Sequence, residues 1–211
     1  MKNIEQLHNQ LVFKRRVRVL VSWLCQCLPQ NANVLDVGCG DGTIAMLIQQ
    51  QRPDVSIRGI DVFTRKDTYI DVTLFNGQEI PFADNSFNTV MFVDVLHHTN
   101  DPKVLLGEAN RVASNKIVIK DHSKNGFLAD ETLRFMDWVG NAPHGVVLPY
   151  NYWTKSQWDV VFEDLNLCVD SWEPRLNLYP FPANLLFDRS LHFIASLGVN
   201  QIKQNEAKTK T

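Results

Sequence analysis

Three glycines at alternate positions, Gly38, Gly40 and Gly42, punctuate the run Val34-Leu35-Asp36-Val37-Gly38-Cys39-Gly40-Asp41-Gly42-Thr43. A short β-type run precedes them, and an apolar helical pattern follows at once. Glycine lets backbone approach a ligand where a Cβ would collide. A helix start offers free N–H groups to an anion. The chemistry implied is the holding of a nucleotide-like cofactor. Asp61 closes the next β-like run, Ser56–Asp61, and is placed to accept hydrogen bonds from ribose hydroxyls. The dinucleotide fingerprint is G-x-G-x-x-G/A, whose third glycine permits close helix–strand packing. Here the spacing is G-x-G-x-G, and Thr43 stands where the third small residue would fall. Asp61 suits both cofactor classes, and a glycine-rich turn by itself also serves plain packing.

Such a turn needs a strand before it and a helix after it, and the flanking sequence supplies both. The first 28 residues read as a helix with Val17, Leu20, Val21, Leu24 and Leu28 on one face, closed by Pro29. Lys14, Arg15, Arg16 and Arg18 are interleaved with that face, as a solvated surface or as a cationic lid edge. Strands are expected at Val34–Val37, Ser56–Asp61, Ile70–Phe75, Thr89–Val93 and Lys116–Lys120. Between them fall a helix carrying Ile44, Leu47 and Ile48, and another opened by Asp101-Pro102 that runs to about Ala113. This β/α alternation implies a parallel sheet with helices on both faces.

The alternation stops after position 122. Asn125–Trp153 holds one amphipathic helix, with Leu128, Thr132, Phe135, Met136 and Val139 on its apolar face, and a Pro/Gly/aromatic loop from Gly140. Thr154-Lys155-Ser156-Gln157 is a capping box opening a helix with Trp158, Val161, Phe162 and Leu165 inward. Two further strands are expected near Cys168–Trp172 and Leu191–Leu197, with a polar tail after Gly198.

The 211 residues can build one domain with a substantial core. A hydrophobic share of 45% and a net charge of -2 fit a globular chain and leave no electrostatic footprint for nucleic acid. The polar start Met1-Lys2-Asn3-Ile4-Glu5-Gln6 lacks a signal-peptide pattern, and no apolar run is long enough to span a bilayer. Cys25, Cys27, Cys39 and Cys168 form neither a disulfide framework nor a C-x-x-C pair, so a reducing cytoplasm is the expected setting.

Four segments together resemble class I S-adenosylmethionine (SAM)-dependent methyltransferases, most closely the ubiquinone/menaquinone-biosynthesis-like, methyltransferase type 11 group. They are Val34–Gly42; Gly59-Ile60-Asp61; Ile80-Pro81-Phe82-Ala83-Asp84-Asn85-Ser86-Phe87; and Val95-Leu96-His97-His98 with Glu108-Ala109-Asn110-Arg111-Val112. The resemblance implies a Rossmann-like, doubly wound, mostly parallel α/β sheet of seven strands, ending in an antiparallel hairpin. It implies that the turn containing Gly38, Cys39, Gly40 and Gly42 holds the methionine part of SAM, with Asp36 near its ammonium. Asp61 would take the ribose hydroxyls, Val62 or Phe63 would lie against the adenine, and Val93 and Asp94 would face the cofactor. Asn76 and Gly77 stand where the family usually places an Asp that accepts from the adenine amino group; the Asn76 side-chain oxygen can accept one hydrogen bond. Ala113-Ser114-Asn115 replaces the family's usual Pro-Gly-Gly.

Ligands of a doubly wound sheet bind outside the carboxyl ends of its strands. Asp94, His97 and His98 follow strand four there, and Asp121 and His122 follow strand five. Methyl transfer from a sulfonium requires nucleophile, carbon and sulfur aligned in a dry pocket. A base of near-neutral pKa helps an acidic acceptor. His97 or His98 is the first candidate for that base and His122 the second; each can instead cap a helix or bond to backbone. Asp121 is expected to pair with Lys120 or Lys124 at the surface. No acidic pair with ligand spacing is evident, so no metal is expected. Tyr150, Tyr152 and Trp153 are expected to line an acceptor pocket, or to be core beneath the loop. The apolar loop Leu178–Ser190 would add a hydrophobic wall or an oligomer contact.

The expected protein is thus a single methyltransferase domain. Its parts are an N-terminal helix and lid (1–29), a SAM-binding core (30–122), a lid and acceptor insertion (123–153), a helix and hairpin (154–198) and a tail (199–211). It would convert SAM to S-adenosylhomocysteine while methylating a small metabolite of apolar character, as monomer or homodimer. The alternatives are a SAM-binding regulatory or scaffold protein without turnover, and an NAD-dependent oxidoreductase.

Overall fold

A computed structural model describes residues 2–63, 65–141 and 149–199, with side chains for 14–63, 65–139 and 149–199. Seven strands form one sheet: β1 (Asn33–Val37), β2 (Ser56–Asp61), β3 (Val72–Leu74), β4 (Phe87–Val93), β5 (Ala113–His122), β6 (Leu167–Glu173) and β7 (His192–Val199). Their order is β3-β2-β1-β4-β5-β7-β6. The first five pair in parallel, whereas β7 runs antiparallel to both β5 and β6. Strand order reverses between β1 and β4. At such a switch point the flanking crossovers leave on opposite faces and open a crevice.

Side chains alternate along each strand, so one sequence feeds two cores. Leu35, Val37, Val90, Phe92, Ile117 and Ile119 pack under α3 (Pro102–Val112) and α5 (Lys155–Asp164). Val34, Met91 and Val118 face the other way, against Leu20, Val21 and Leu24 of α1 (Lys2–Cys27) and Ala45 and Ile48 of α2 (Thr43–Gln51). The helix starts form as their sequences demand. Asp101 accepts from the Lys103 amide with Pro102 in the first turn, and Thr154 and Gln157 cap each other reciprocally.

Three local expectations are corrected. Strand three shortens to Val72–Leu74 because Ile70 lies under the glycine turn, where a Cβ on Gly42 would come within 2.5 Å of it. β5 starts at once after α3 and runs to His122, twice the length its apolar centre indicated. The helix α4 (Ala129–Asn141) buries Ala129, Leu133 and Asp137, while Leu128, Phe135 and Val139 are exposed. Its polar side turns inward because Asp137 has partners there: the Tyr152 hydroxyl donates to Asp137 Oδ2 at 2.5 Å. Cys168 is exposed on β6. A short helix α6 (Asn184–Phe187) interrupts the loop between β6 and β7. Residues 142–148 of the acceptor loop and the tail from 200 onward lie outside the described residues. Among the described residues no helix is long and apolar enough to cross a membrane.

Candidate functional site

A cleft of about 500 Å³ opens at the carboxyl ends of β1, β2 and β4, within the range of roughly 300–1,000 Å³ usual for small-molecule sites. Gly38, Gly40, Asp61, Val62, Phe63, Asn76, Gly77 and Asp94 line it, and so does His98. The turn after β1 works because of its glycines. Gly38 has φ 74°, and a Cβ there would press to 2.6 Å from Val95. Gly40 has φ 61° and nothing within 4 Å of its missing Cβ, so the backbone itself faces open space at the cleft. The Gly40 amide donates to Asp61 Oδ2 at 2.8 Å and the Phe63 amide to Asp61 Oδ1 at 2.9 Å. An ionised carboxylate has about four acceptor positions, so two remain for hydroxyl donors.

Other residues expected at the cofactor stand behind the lining. The Cys39 side chain fills the space over Gly59, where a Cβ would meet its Sγ at 2.4 Å. Burial, with Asp36 and Asp61 nearby, pushes its thiol well above the ordinary range. Gly42 packs on Ile70, and Val93 joins the core beneath α1. Asp36 is buried under the turn; burial and the Asp61 charge push its carboxyl up to about 7. The Asn76 expectation is corrected. Its Oδ1 already accepts from the amides of Gln78 and Glu79, both at 2.8 Å, so the group left for a ligand is the Nδ2 donor.

A buried polar cluster adjoins the cleft at the ends of β4 and β5. Asp121 is not at the surface but fully buried. Its Oδ1 meets His97 Nδ1 at 2.5 Å and accepts from the His122 amide, while Oδ2 accepts from the Leu96 amide. Lys120 is equally buried and binds Asp94, whose other oxygen accepts from Arg16 Nη2 of α1 at 2.8 Å. Burial disfavours the Asp94 charge, but Lys120 and Arg16 outweigh it and hold the carboxyl well below its ordinary value.

The three candidate histidines therefore differ in kind. Burial would lower His97, yet Asp121 and Asp137 push it up to about 10. Burial, His97 and Lys120 push His122 down to about 3. His98 is lowered by burial and by the His97 charge, which leaves its ring neutral at pH 7. Of the three only His98 lines the cleft.

None of the three aromatic candidates lines the cleft. Tyr152 is buried against Asp137 and stacked on His97, Trp153 packs on Trp158, and Tyr150 lies under the Arg134 guanidinium. Sequence reading missed Asp137, which helical spacing places beside exposed Trp138 and Val139. It noticed Arg16 only as one of four interleaved cations.

A glycine turn over the Asp61 carboxylate, at the switch point of a seven-stranded sheet with an antiparallel end, is the frame of a Rossmann-like fold. The family described as "Methyltransferase domain" matches residues 8–171. The chain belongs to that family, in its class I, SAM-dependent branch, and SAM is the cofactor of the family. The nicotinamide alternative is thereby set aside. Over 120 residues the chain is 33% identical to the demethylmenaquinone methyltransferase of Renibacterium salmoninarum, covering 54% of this chain and 50% of that protein. Over 92 residues it is 33% identical to the tRNA U34 carboxymethyltransferase of Nautilia profundicola, covering 37% and 30%. The chain thus spans half or less of these curated relatives. A crystal structure of a SAM-dependent methyltransferase from Aquifex aeolicus superposes with a TM-score of 0.56 at 17% identity, covering 82% of this chain and 85% of that one.

Proposed function

We propose that this protein transfers the methyl group of SAM to a small-molecule acceptor. The observation that carries the reading is the cleft itself, lined by the open Gly40 backbone, the half-used Asp61 carboxylate and His98. SAM supplies, when bound, an electrophilic methyl group on a positive sulfur. The residues of the chain do the rest. Asp61 accepts ribose hydroxyls on the two positions its amide partners leave. Gly38 and Gly40 let main chain approach the amino-acid part, and Asp36 beneath them favours a cation above. Val62 and Phe63 give the base an apolar wall, and Asn76 Nδ2 donates to a base acceptor. His98 presents an uncharged ring at the acceptor end.

A small acceptor fits a chain with a net charge of -2 better than a polyanion does. The resemblance to a demethylmenaquinone methyltransferase makes quinols and phenols the first acceptors to try. The cysteine spacing, which includes no C-x-x-C pair, fits a reducing, cytoplasmic setting. Calorimetry with SAM and S-adenosylhomocysteine tests the cofactor half: micromolar binding of both is expected, and no binding of either at millimolar concentration removes the proposal. Release of labelled product from labelled SAM over quinol, phenol and lipid acceptors tests the other half. Tight cofactor binding with no acceptor turned over would favour a regulatory protein instead.

A further inference from the structure

The buried cluster behind His98 contains more ligand chemistry than methyl transfer calls for. His97, His98 and Asp137 each offer one donor atom, the three atoms lying within 4.8 Å of one another. They come from two separate elements, the 3-10 turn Leu96–His98 and the inward side of α4. We propose that this trio binds one divalent first-row transition ion of the zinc type, at the edge of the cofactor cleft.

Three observations point to a ligand there. His97 Nε2 is buried without a hydrogen-bond partner, on a side chain that is 1% exposed. It lies 3.3 Å from Asp137 Oδ2, an ion-pair distance. That separation matches the edge of a tetrahedron with metal–ligand bonds of about 2.05 Å, roughly 3.3 Å. Nδ1 of His98 is likewise buried without a hydrogen-bond partner.

The surroundings are those of a ligand set held in place. Asp121 accepts from His97 Nδ1, which fixes the ring and leaves Nε2 to point at the site; carboxylate–histidine pairs of this kind orient metal ligands and raise their basicity. The Tyr152 hydroxyl does the same for the Asp137 carboxylate. Two imidazoles and one carboxylate suit zinc and neighbouring ions rather than calcium or magnesium, which take oxygen donors. His98 lies on the cleft wall, so an ion held by the trio would border the cleft, with a fourth coordination position left for a further ligand. An oxygen donor such as a phenol, an enol or a carboxylate fits that position; this last point alone rests on the methyl-transfer reading.

The test is titration of chelator-treated full-length protein with zinc chloride by calorimetry, beside metal analysis of the protein as purified. Wild type is expected to take up one equivalent at low-micromolar affinity or better. His98→Ala and Asp137→Asn should each weaken uptake by about 100-fold or more. Asp121→Asn, which removes no ligand, should weaken it by about 10-fold, in the range of changes beyond the ligands themselves. His98→Ala alters a side chain at the cleft wall, so it decides the matter even where a change at Asp137 disturbs folding. No stoichiometric uptake by wild type, or unchanged uptake by His98→Ala, overturns the proposal. SAM titrations on the same samples keep the two readings apart. Loss of SAM binding strikes the methyl-transfer reading and leaves the zinc result standing.

Discussion

Arg16 Nη2 donates to Asp94 Oδ2 at 2.8 Å across 78 positions of sequence, and so fastens the N-terminal helix to a residue that lines the cleft. Asp94 sits directly after β4 with φ 56°, a left-handed conformation that its amide helps to fix by donating to the Lys120 carbonyl at 2.8 Å. One carboxylate thereby joins α1, β4 and β5.

Replacing Arg16 by Met should therefore cost more than a surface ion pair. The pair is mostly shielded, with side-chain exposures of 29% and 22%. A charged hydrogen bond of this kind contributes about 1.5–3 kcal/mol. Lys120 still balances Asp94 in the variant, so the lower half of that range is expected. Urea unfolding followed by circular dichroism measures it. A variant as stable as wild type would show that α1 is held by its apolar face alone.

Asp61 is expected to matter to the turn as well as to the ligand. Asp61→Ala frees the amides of Gly40 and Phe63 in addition to removing the proposed ribose acceptor. Its SAM affinity should fall by about 100-fold or more, equivalent to roughly 3 kcal/mol. Asp61→Asn keeps one oxygen and should lose less. Calorimetry separates the two, and equal losses would show that charge, rather than hydrogen-bond count, sets affinity here.

Much of the frame was legible because its signals are local. The Asp101-Pro102 start, the Thr154–Gln157 box and the β2 limits Ser56–Asp61 follow from neighbouring residues alone. The pairing of the two distal motifs also has a visible cause. Arg111 donates to the carbonyls of Ile80 and Phe82, while Glu108 accepts from the Ile80 amide, so each segment completes the hydrogen bonds of the other. The histidine cluster was legible only in part. Positions 97, 98, 121 and 122 follow from strand ends, but Asp137 belongs to a helix whose stripe of large apolar residues faces outward. The apolar stripe points that helix the wrong way, because its inward side carries Asp137, bonded to the buried Tyr152 hydroxyl. Asp121 misled for a related reason: next to a lysine it reads as a surface pair, whereas both side chains are buried and each bonds elsewhere.

Asp36 sets an expected pH dependence. Its folded-state carboxyl is raised from 3.8 to about 7 by burial and by Asp61. Between these values the folded chain holds a proton that the unfolded chain has released. Stability from this group therefore falls as pH rises through that window and stays low above about 7. A cation over the turn favours the ionised form, so SAM affinity should strengthen from pH 6 to pH 8. Asp36→Asn should flatten the SAM dependence and raise the unfolding temperature relative to wild type at pH 8. SAM affinity that does not change with pH in wild type would place the ammonium elsewhere.

Asn76 offers a sharper test, because two readings predict opposite signs. If this position simply lacks the acid usual in the family, Asn76→Asp should restore an acceptor for the adenine amino group and tighten binding. The structure gives the oxygen two amide donors already, from Gln78 and Glu79, and leaves Nδ2 as the available group. Asp would keep the oxygen that serves those amides and lose the donor. Its second oxygen would then face an acceptor on the base with no proton between them. SAM binding to Asn76→Asp should accordingly weaken by about 10-fold, the equivalent of roughly 1.4 kcal/mol for one lost hydrogen bond. A tighter complex would show that the base meets this position through its amino group and that the Asn76 amide rotates to receive it.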